Sequence, residues 1–229
     1  IAEDLLLRMF RYGIRKAPKA KVGVLCQLGD FTHYDSFESI TPQSKHLLDS
    51  DTRPQKMVRV GLRSLRAIIK MMLQKYEQVH VIMAEGNHDI MSSAWLREAF
   101  NIFYEDEPRV SVDTRPDPYY AYEWGKTLLL FHHGHLRGVK NIDHVFVSKF
   151  KEQFGRSTNV YAHMGHLHHK HEIESALMDI IQHPTIAAHD AYAIRKGWLS
   201  RRRAPVVTYH QDFGAVGSIT IPPALLLHG

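Results

Sequence analysis

The segment Val79-His80-Val81-Ile82-Met83-Ala84-Glu85-Gly86-Asn87-His88-Asp89 decides how the rest of the chain is read. Its first half is a mostly apolar run with the length and composition of a buried strand, and it stops at a glycine. Three polar side chains follow at the point where such a strand ends, which is where α/β proteins do chemistry. Asn87 offers a neutral oxygen, His88 a proton or a lone pair, and Asp89 a negative charge able to orient a histidine. Alone, the same residues also fit a turn in which Asn87 or Asp89 caps a following helix.

The pattern recurs on both sides. Residues 21–28 read as a strand closed by Gly29-Asp30, residues 126–131 as one ending in His132-His133-Gly134-His135, and residues 159–162 as one ending in His163-Met164-Gly165-His166-Leu167-His168-His169. Helical periodicity separates them: 1–15 with Leu5, Leu6, Met9, Phe10 and Ile14 on one side, 57–76 through Leu62, Leu65, Ile68, Ile69 and Met72, 92–103 capped by Ser92 or Ser93, and 141–154. Short strands fit 110–112 and 119–124, and the polar stretch 36–53 reads as a long exposed loop of the kind that covers a site. Beyond His171 come an apolar piece at 176–181, small residues at 186–193, the run Arg201-Arg202-Arg203 and two further strands at 206–209 and 217–221. Strands separated by helices imply a layered α/β or α+β core.

At 229 residues and 44% hydrophobic content the chain can bury one sizeable core, so a single domain over 1–229 is expected, with 172–229 as a possible substrate-specificity element. No apolar run reaches the ~18 residues of a membrane span, and no basic-then-apolar signal segment opens the chain, which suggests a soluble protein. A lone cysteine, Cys26, excludes a disulfide within the chain and suits a reducing, cytoplasmic setting. A net charge of +5 and a pI near 9.2 favour an anionic partner. Seventeen histidines, several of them clustered and with no tag-like run of six, point to metal.

If the strands lie side by side in one orientation, their carboxyl ends bring Asp30, Asn87, His88, His133, His166 and His168 to one edge. One carboxylate, one amide oxygen and several imidazoles suit Mn²⁺, Fe or Zn²⁺ better than Ca²⁺ or Mg²⁺, which prefer oxygen shells. The lack of thiolate ligands argues against a Cys-rich structural zinc site.

Gly29-Asp30, Gly86-Asn87-His88-Asp89, His133-Gly134-His135 and Gly165-His166-Leu167-His168 occur in an order that resembles the calcineurin-like metallophosphoesterase superfamily, over residues 21–168. The resemblance implies a β-sandwich flanked by helices, with a dinuclear metal site at the carboxyl ends of the strands. It makes Asp30 the bridging carboxylate, Asn87, His133 and His166 ligands of the second metal, and His168 a ligand of the first. His88 becomes the catalytic histidine beside the substrate phosphate, held by Asp89. His132 and His133 compete for one ligand position, and the family's ligand directly precedes a glycine, which favours His133. Two divalent ions, Mn²⁺ foremost, are expected to clamp the phosphoryl oxygens and activate a water as hydroxide.

The superfamily's first motif, Asp-x-His, is not found before Asp30 and is expected upstream of Ile1, together with the strand that carries it. The function expected is hydrolysis of a phosphodiester or phosphomonoester, leaning towards a nuclease or nucleotide phosphodiesterase. The alternatives are a phosphoprotein or small-molecule phosphatase and a non-catalytic binding module on a degenerate phosphoesterase fold. Arg137/Lys140, Lys149/Lys151, Arg195/Lys196 and Arg201-Arg202-Arg203 are basic groups that could follow a phosphate backbone, although such runs are usually a solvated face. His163, His169 and His171 read as exposed or supporting groups, one of the pair His33 and Asp35 as a residue facing the substrate, and His80, His183, His189 and His210 as structural or solvated.

Overall fold

The computed structural model describes residues 2–42, 45, 53–188 and 200–227. Half of the 36–53 loop (43, 44 and 46–52), the latter part of 186–193, His189 and the pair Arg195/Lys196 lie outside the described residues.

Alternation along the central strands builds two layers. In β2 (Gln78–Met83), Val79, Val81 and Met83 pack against helices, whereas Ile82 and the adjoining Ala84 face a second sheet. That period of two marks a strand buried on both faces. β1 (Val22–Gln27) and β3 (Val110–Val112) pair with it on either side, all parallel, in the order β1-β2-β3. The outer face of this sheet is covered by α1 (Ala2–Lys16), α2 (Pro54–Leu73) and α3 (Ile90–Phe103), with Ile68, Ile69 and Phe100 completely buried. Pro54 opens α2, where its fixed φ suits the first turn and its missing N–H costs no bond. Leu65, Ile68, Ile69 and Met72 supply the stripe that docks it.

The second sheet has five strands in the order β4-β5-β6-β8-β7: β4 (Tyr120–Trp124), β5 (Thr127–His132), β6 (Asn159–Met164), β7 (His171–Glu174) and β8 (Asp179–Gln182). β5, β6 and β8 are parallel, and the edge strands β4 and β7 are antiparallel to them. In β5, Leu128 and Leu130 pack on α4 (Ile142–Lys149) and α5 (Lys151–Arg156), while Leu129 and Phe131 meet Ile82 and Tyr120 between the sheets. Cys26 packs in the same inter-sheet layer, and burial pushes its thiol up from the ordinary range. The result is the layered α/β core that the strand pattern implied, in the form of the sandwich flanked by helices that the resemblance implied.

A hairpin of β9 (Ala204–His210) and β10 (Gly214–Ile221) closes back on this body. Thr127 Oγ1 donates to the carbonyl of His210 at 2.7 Å, and the amide of Ala215 donates to the Tyr161 hydroxyl at 3.0 Å. Among the described residues no helix is long and apolar enough to cross a membrane.

Several boundaries differ from the sequence reading, each for a local reason. The helix expected over 141–154 is two, because Phe150 leaves helical geometry with φ −120° and ψ 41°. β6 runs on through His163 and Met164, both buried. α3 begins at Ile90, and neither Ser92 nor Ser93 caps it. A carboxylate from a distant loop does so instead: Asp35 accepts from the amides of Met91 at 2.7 Å and Ser92 at 2.9 Å.

Candidate metal centre

Parallel pairing sets β1 beside β2 and β5 beside β6 in matching register, so the residues just past their carboxyl ends converge from both sheets. Asp30 and Asn87 follow β1 and β2; His133 and His166 follow β5 and β6. Ligand atoms of Asp30, His133 and His166 all lie within 4.8 Å of one another. His133 is the hub: its Nε2 is 3.1 Å from Asp30 Oδ2, 3.2 Å from Asn87 Oδ1 and 3.2 Å from His166 Nδ1. Its other nitrogen, Nδ1, lies 2.6 Å from the carbonyl oxygen of Leu28.

These distances test whether the residues fit a metal. A carbonyl only accepts, so His133 Nδ1 carries the proton and donates it to Leu28. In the neutral ring Nε2 is then a bare lone pair, facing a carboxylate oxygen, an amide oxygen and a second imidazole nitrogen. Lone pairs converge in this way around a cation. Without a cation a proton takes its place on His133 Nε2, where it is donated to Asp30, and the titration behaviour is that of this protonated ring. Burial would raise the Asp30 carboxyl, but the hydrogen bond and charge of His133, with His88 beyond, hold it at about 2. Burial would lower His133, but Asp30 raises it. His166 is pushed down to about 4, first by burial and then by the charge of His133, which keeps its imidazole neutral and able to ligate.

The backbone is bent to make this arrangement. Asp30, His166 and His168 have φ of 52°, 71° and 60°, in the left-handed region that non-glycine residues seldom enter. Gly86 is needed for a different reason, close approach: a Cβ there would sit 2.0 Å from Asp30 Oδ1 and 2.2 Å from its amide nitrogen. Asp89 holds the bent loop. Its carboxylate accepts from the amides of Phe31 at 2.6 Å, Gly86 at 2.8 Å, Asp30 at 3.2 Å and Thr32 at 3.3 Å. Burial nonetheless raises its pKa.

That corrects one expectation. Asp89 does not orient the ring of His88; its oxygens are taken by backbone amides of the Asp30 loop. The His88 ring is placed by His33 instead. His88 Nδ1 lies 3.0 Å from the His33 carbonyl oxygen, and the two rings stack with centroids 5.0 Å apart and planes 13° from parallel. The His88 amide donates to Asp30 Oδ1 at 3.0 Å, which fixes the histidine against the carboxylate shared with His133.

The remaining histidines sort by position. His168 stands outside the close cluster, yet the charges of Asp30, His133, His33 and His88 act on it. His132 points away from the centre, with Nδ1 3.0 Å from the Pro118 carbonyl oxygen and its ring stacked on Tyr119. His163 is buried rather than exposed. Its Nε2 is 2.8 Å from the Tyr209 hydroxyl and its Nδ1 2.8 Å from His183 Nε2, a chain joining β6, the β9–β10 hairpin and the segment after β8. Neither this chain nor the Asp35 cap had a signal in the sequence, because their partners are 20 to 57 residues apart.

A carboxylate, an amide oxygen and two imidazoles converging at strand ends of a two-sheet sandwich define a candidate centre for a divalent transition metal. Comparison with known families agrees: residues 3–191 match the model for calcineurin-like phosphoesterase. The chain belongs to that family of metal-dependent phosphoesterases. No curated protein matches it. Similar solved structures include a single mutant of Vps29 from Entamoeba histolytica, 11% identical, covering 88% of this chain and 98% of that one at a TM-score of 0.39. A conserved predicted phosphoesterase from Streptococcus pneumoniae is 12% identical, covering 88% and 96% at a TM-score of 0.31.

Proposed function

We propose that the chain hydrolyses phosphodiesters of nucleic acid or nucleotides at a centre of two divalent ions, Mn²⁺ foremost. The observation that supports this best is the convergence of Asp30 Oδ2, Asn87 Oδ1 and His166 Nδ1 on His133 Nε2. These four side chains would hold one ion, with Asp30 shared and His168 serving the other. When bound, such ions polarise the phosphoryl oxygens and bring the pKa of a water near neutrality.

The chain's own residues supply the rest. Asp30 presents Oδ2 to the centre while Oδ1 is anchored by the His88 amide, so the carboxylate cannot rotate away without breaking that bond. His88 donates Nδ1–H to the His33 carbonyl, which leaves Nε2 to hold the proton given to the departing oxygen. Stacking on His33 keeps that ring from swinging.

The test is hydrolysis by the full chain with added Mn²⁺ of bis(p-nitrophenyl) phosphate, p-nitrophenyl phosphate, single-stranded DNA, RNA and a cyclic nucleotide. The diesters should be cleaved faster than the monoester. His88→Ala should retain bound metal and lose about 10²–10⁴-fold in diester turnover. Faster cleavage of the monoester would favour a phosphatase, and no hydrolysis of any substrate would end the catalytic reading.

A further inference from the structure

The excess charge of this chain resides in one helix. The whole sequence has 29 Lys+Arg against 24 Asp+Glu, and α2 alone carries Lys56, Arg59, Arg63, Arg66 and Lys70 with no acidic residue in its 20 positions. Without those five, the rest of the chain holds 24 basic residues against 24 acidic and is formally neutral.

The five cations are spaced three, four, three and four residues apart, so at 100° per residue they fall within an arc of about 80°. That arc lies opposite Leu65, Ile68, Ile69 and Met72, which face the core, and all five side chains are exposed. The row is roughly 21 Å long, with neighbouring Cβ atoms about 5–6 Å apart. Among the described residues, no carboxylate forms an ion pair with any of them. Arg66 is partly engaged by α3, with its guanidinium 5.3 Å from the Phe103 ring centroid and a hydrogen bond to Tyr104. Lys56, Arg59, Arg63 and Lys70 face solvent.

Folding does not ask for this sign. Like charges three and four residues apart repel, and Lys56 in the first turn faces the positive end of the helix dipole. A membrane surface is a poor match, because the apolar face that would insert is already buried against the sheet. A regular line of cations with no apolar component suits a regular line of phosphates. The helix that carries it adjoins the candidate centre: on the opposite, core-facing side of α2, Gly61 packs against the Phe31 ring, and a Cβ there would come within 2.9 Å of it. Phe31 directly follows Asp30. By contrast, two of the basic groups singled out in the sequence are already occupied, Lys149 by Asp117 and Arg202 by the Ile186 carbonyl at 2.8 Å.

We propose that the exposed face of α2 binds the phosphate backbone of a nucleic acid strand. The proposal rests on the phosphodiester reading of the centre and adds to it a binding surface outside the metal ligands.

The test is the salt dependence of binding to a fluorescein-labelled 20-nucleotide oligo(dT), measured by anisotropy on the full chain and on Arg59→Gln/Arg63→Gln/Lys70→Gln. Each lost phosphate contact removes about 0.7 from the slope of log K against log salt. The triple variant should therefore lose about 2 from the slope and bind about tenfold or more weakly at ~0.1 M salt. Its turnover of bis(p-nitrophenyl) phosphate should be unchanged. An unchanged slope and affinity would overturn the proposal. So would poly-glutamate or anionic phosphatidylserine vesicles binding more tightly than oligo(dT) through the same three residues. If the wild-type chain binds oligo(dT) through α2 yet cleaves no diester, the catalytic reading fails and the surface stands.

Discussion

Asp89 Oδ2 lies 2.6 Å from the amide nitrogen of Phe31, so the carboxylate next to His88 in sequence holds the loop of Asp30. Asp35 returns the favour by accepting from the amides of Met91 and Ser92 just beyond His88. Two carboxylates thus exchange hydrogen bonds between two loops more than 50 residues apart in the chain.

Asp89→Asn keeps the shape of the side chain but replaces an acceptor oxygen with an NH₂ donor facing amide donors. Stability should fall by about 2–4 kcal/mol, and metal affinity by about 10–100-fold as the Asp30 loop relaxes. Thermal unfolding and Mn²⁺ titration measure the two effects. Full metal affinity in the folded variant would show that the loop does not depend on this carboxylate.

Asp35→Ala removes the cap of α3. The expected cost is about 0.5–2 kcal/mol in chemical denaturation. Metal content should be normal, because Asp35 touches no residue of the His133 cluster. Loss of metal together with stability would mean that the two loops move as one unit.

His133→Gln and His132→Phe separate the neighbours. The first removes the nitrogen on which three donors converge, and elemental analysis should find the ion lost. The second keeps an aromatic ring to stack on Tyr119 and should keep the ion. The reverse outcome would exchange their roles.

The buried pair His163 and His183 predicts a pH dependence. Burial lowers His163 from 6.5 to about 3, with the charge of His183 adding to it, and burial lowers His183 to about 4. With folded values below unfolded ones, their contribution is whole above about pH 6.5 and is lost as pH falls towards 4, because the unfolded chain takes up protons first. The slope is at most about 1.4 kcal/mol per pH unit for each imidazole. His163→Phe should be less stable at pH 7.5 by about 1–3 kcal/mol, since it strands the Tyr209 hydroxyl. It should also lose stability less steeply between pH 6.5 and 4.5 in urea unfolding. Equal slopes in the two proteins would refute the assignment.

The layers and the edge where the polar residues gather were legible because both are written in local patterns. The alternation in residues 79–84 and 128–131 encodes burial on two faces, and a glycine with polar residues after each run marks the strand end. The division of labour within the cluster was less legible. The order Asn87-His88-Asp89 suggests that neighbours in sequence cooperate, whereas Asp89 serves residues 30–32 and His33 serves His88. Such exchanges depend on how two loops cross in space, and no periodicity reports that. The α2 stripe was legible in principle. Its cations share the helical period of the apolar positions that explain the fold, so one repeat carries both faces.

The placement of His133 has a mechanical consequence. Asp30 and Asn87 hang from the three-stranded sheet, His133 and His166 from the five-stranded one, and the Leu28 carbonyl already ties His133 across the gap. An ion gripped by all four would act as a rivet through both layers, so the sheets could not slide or part without first releasing it. Its loss would speed unfolding more than it slowed folding, and chelation would shorten the lifetime of the native state.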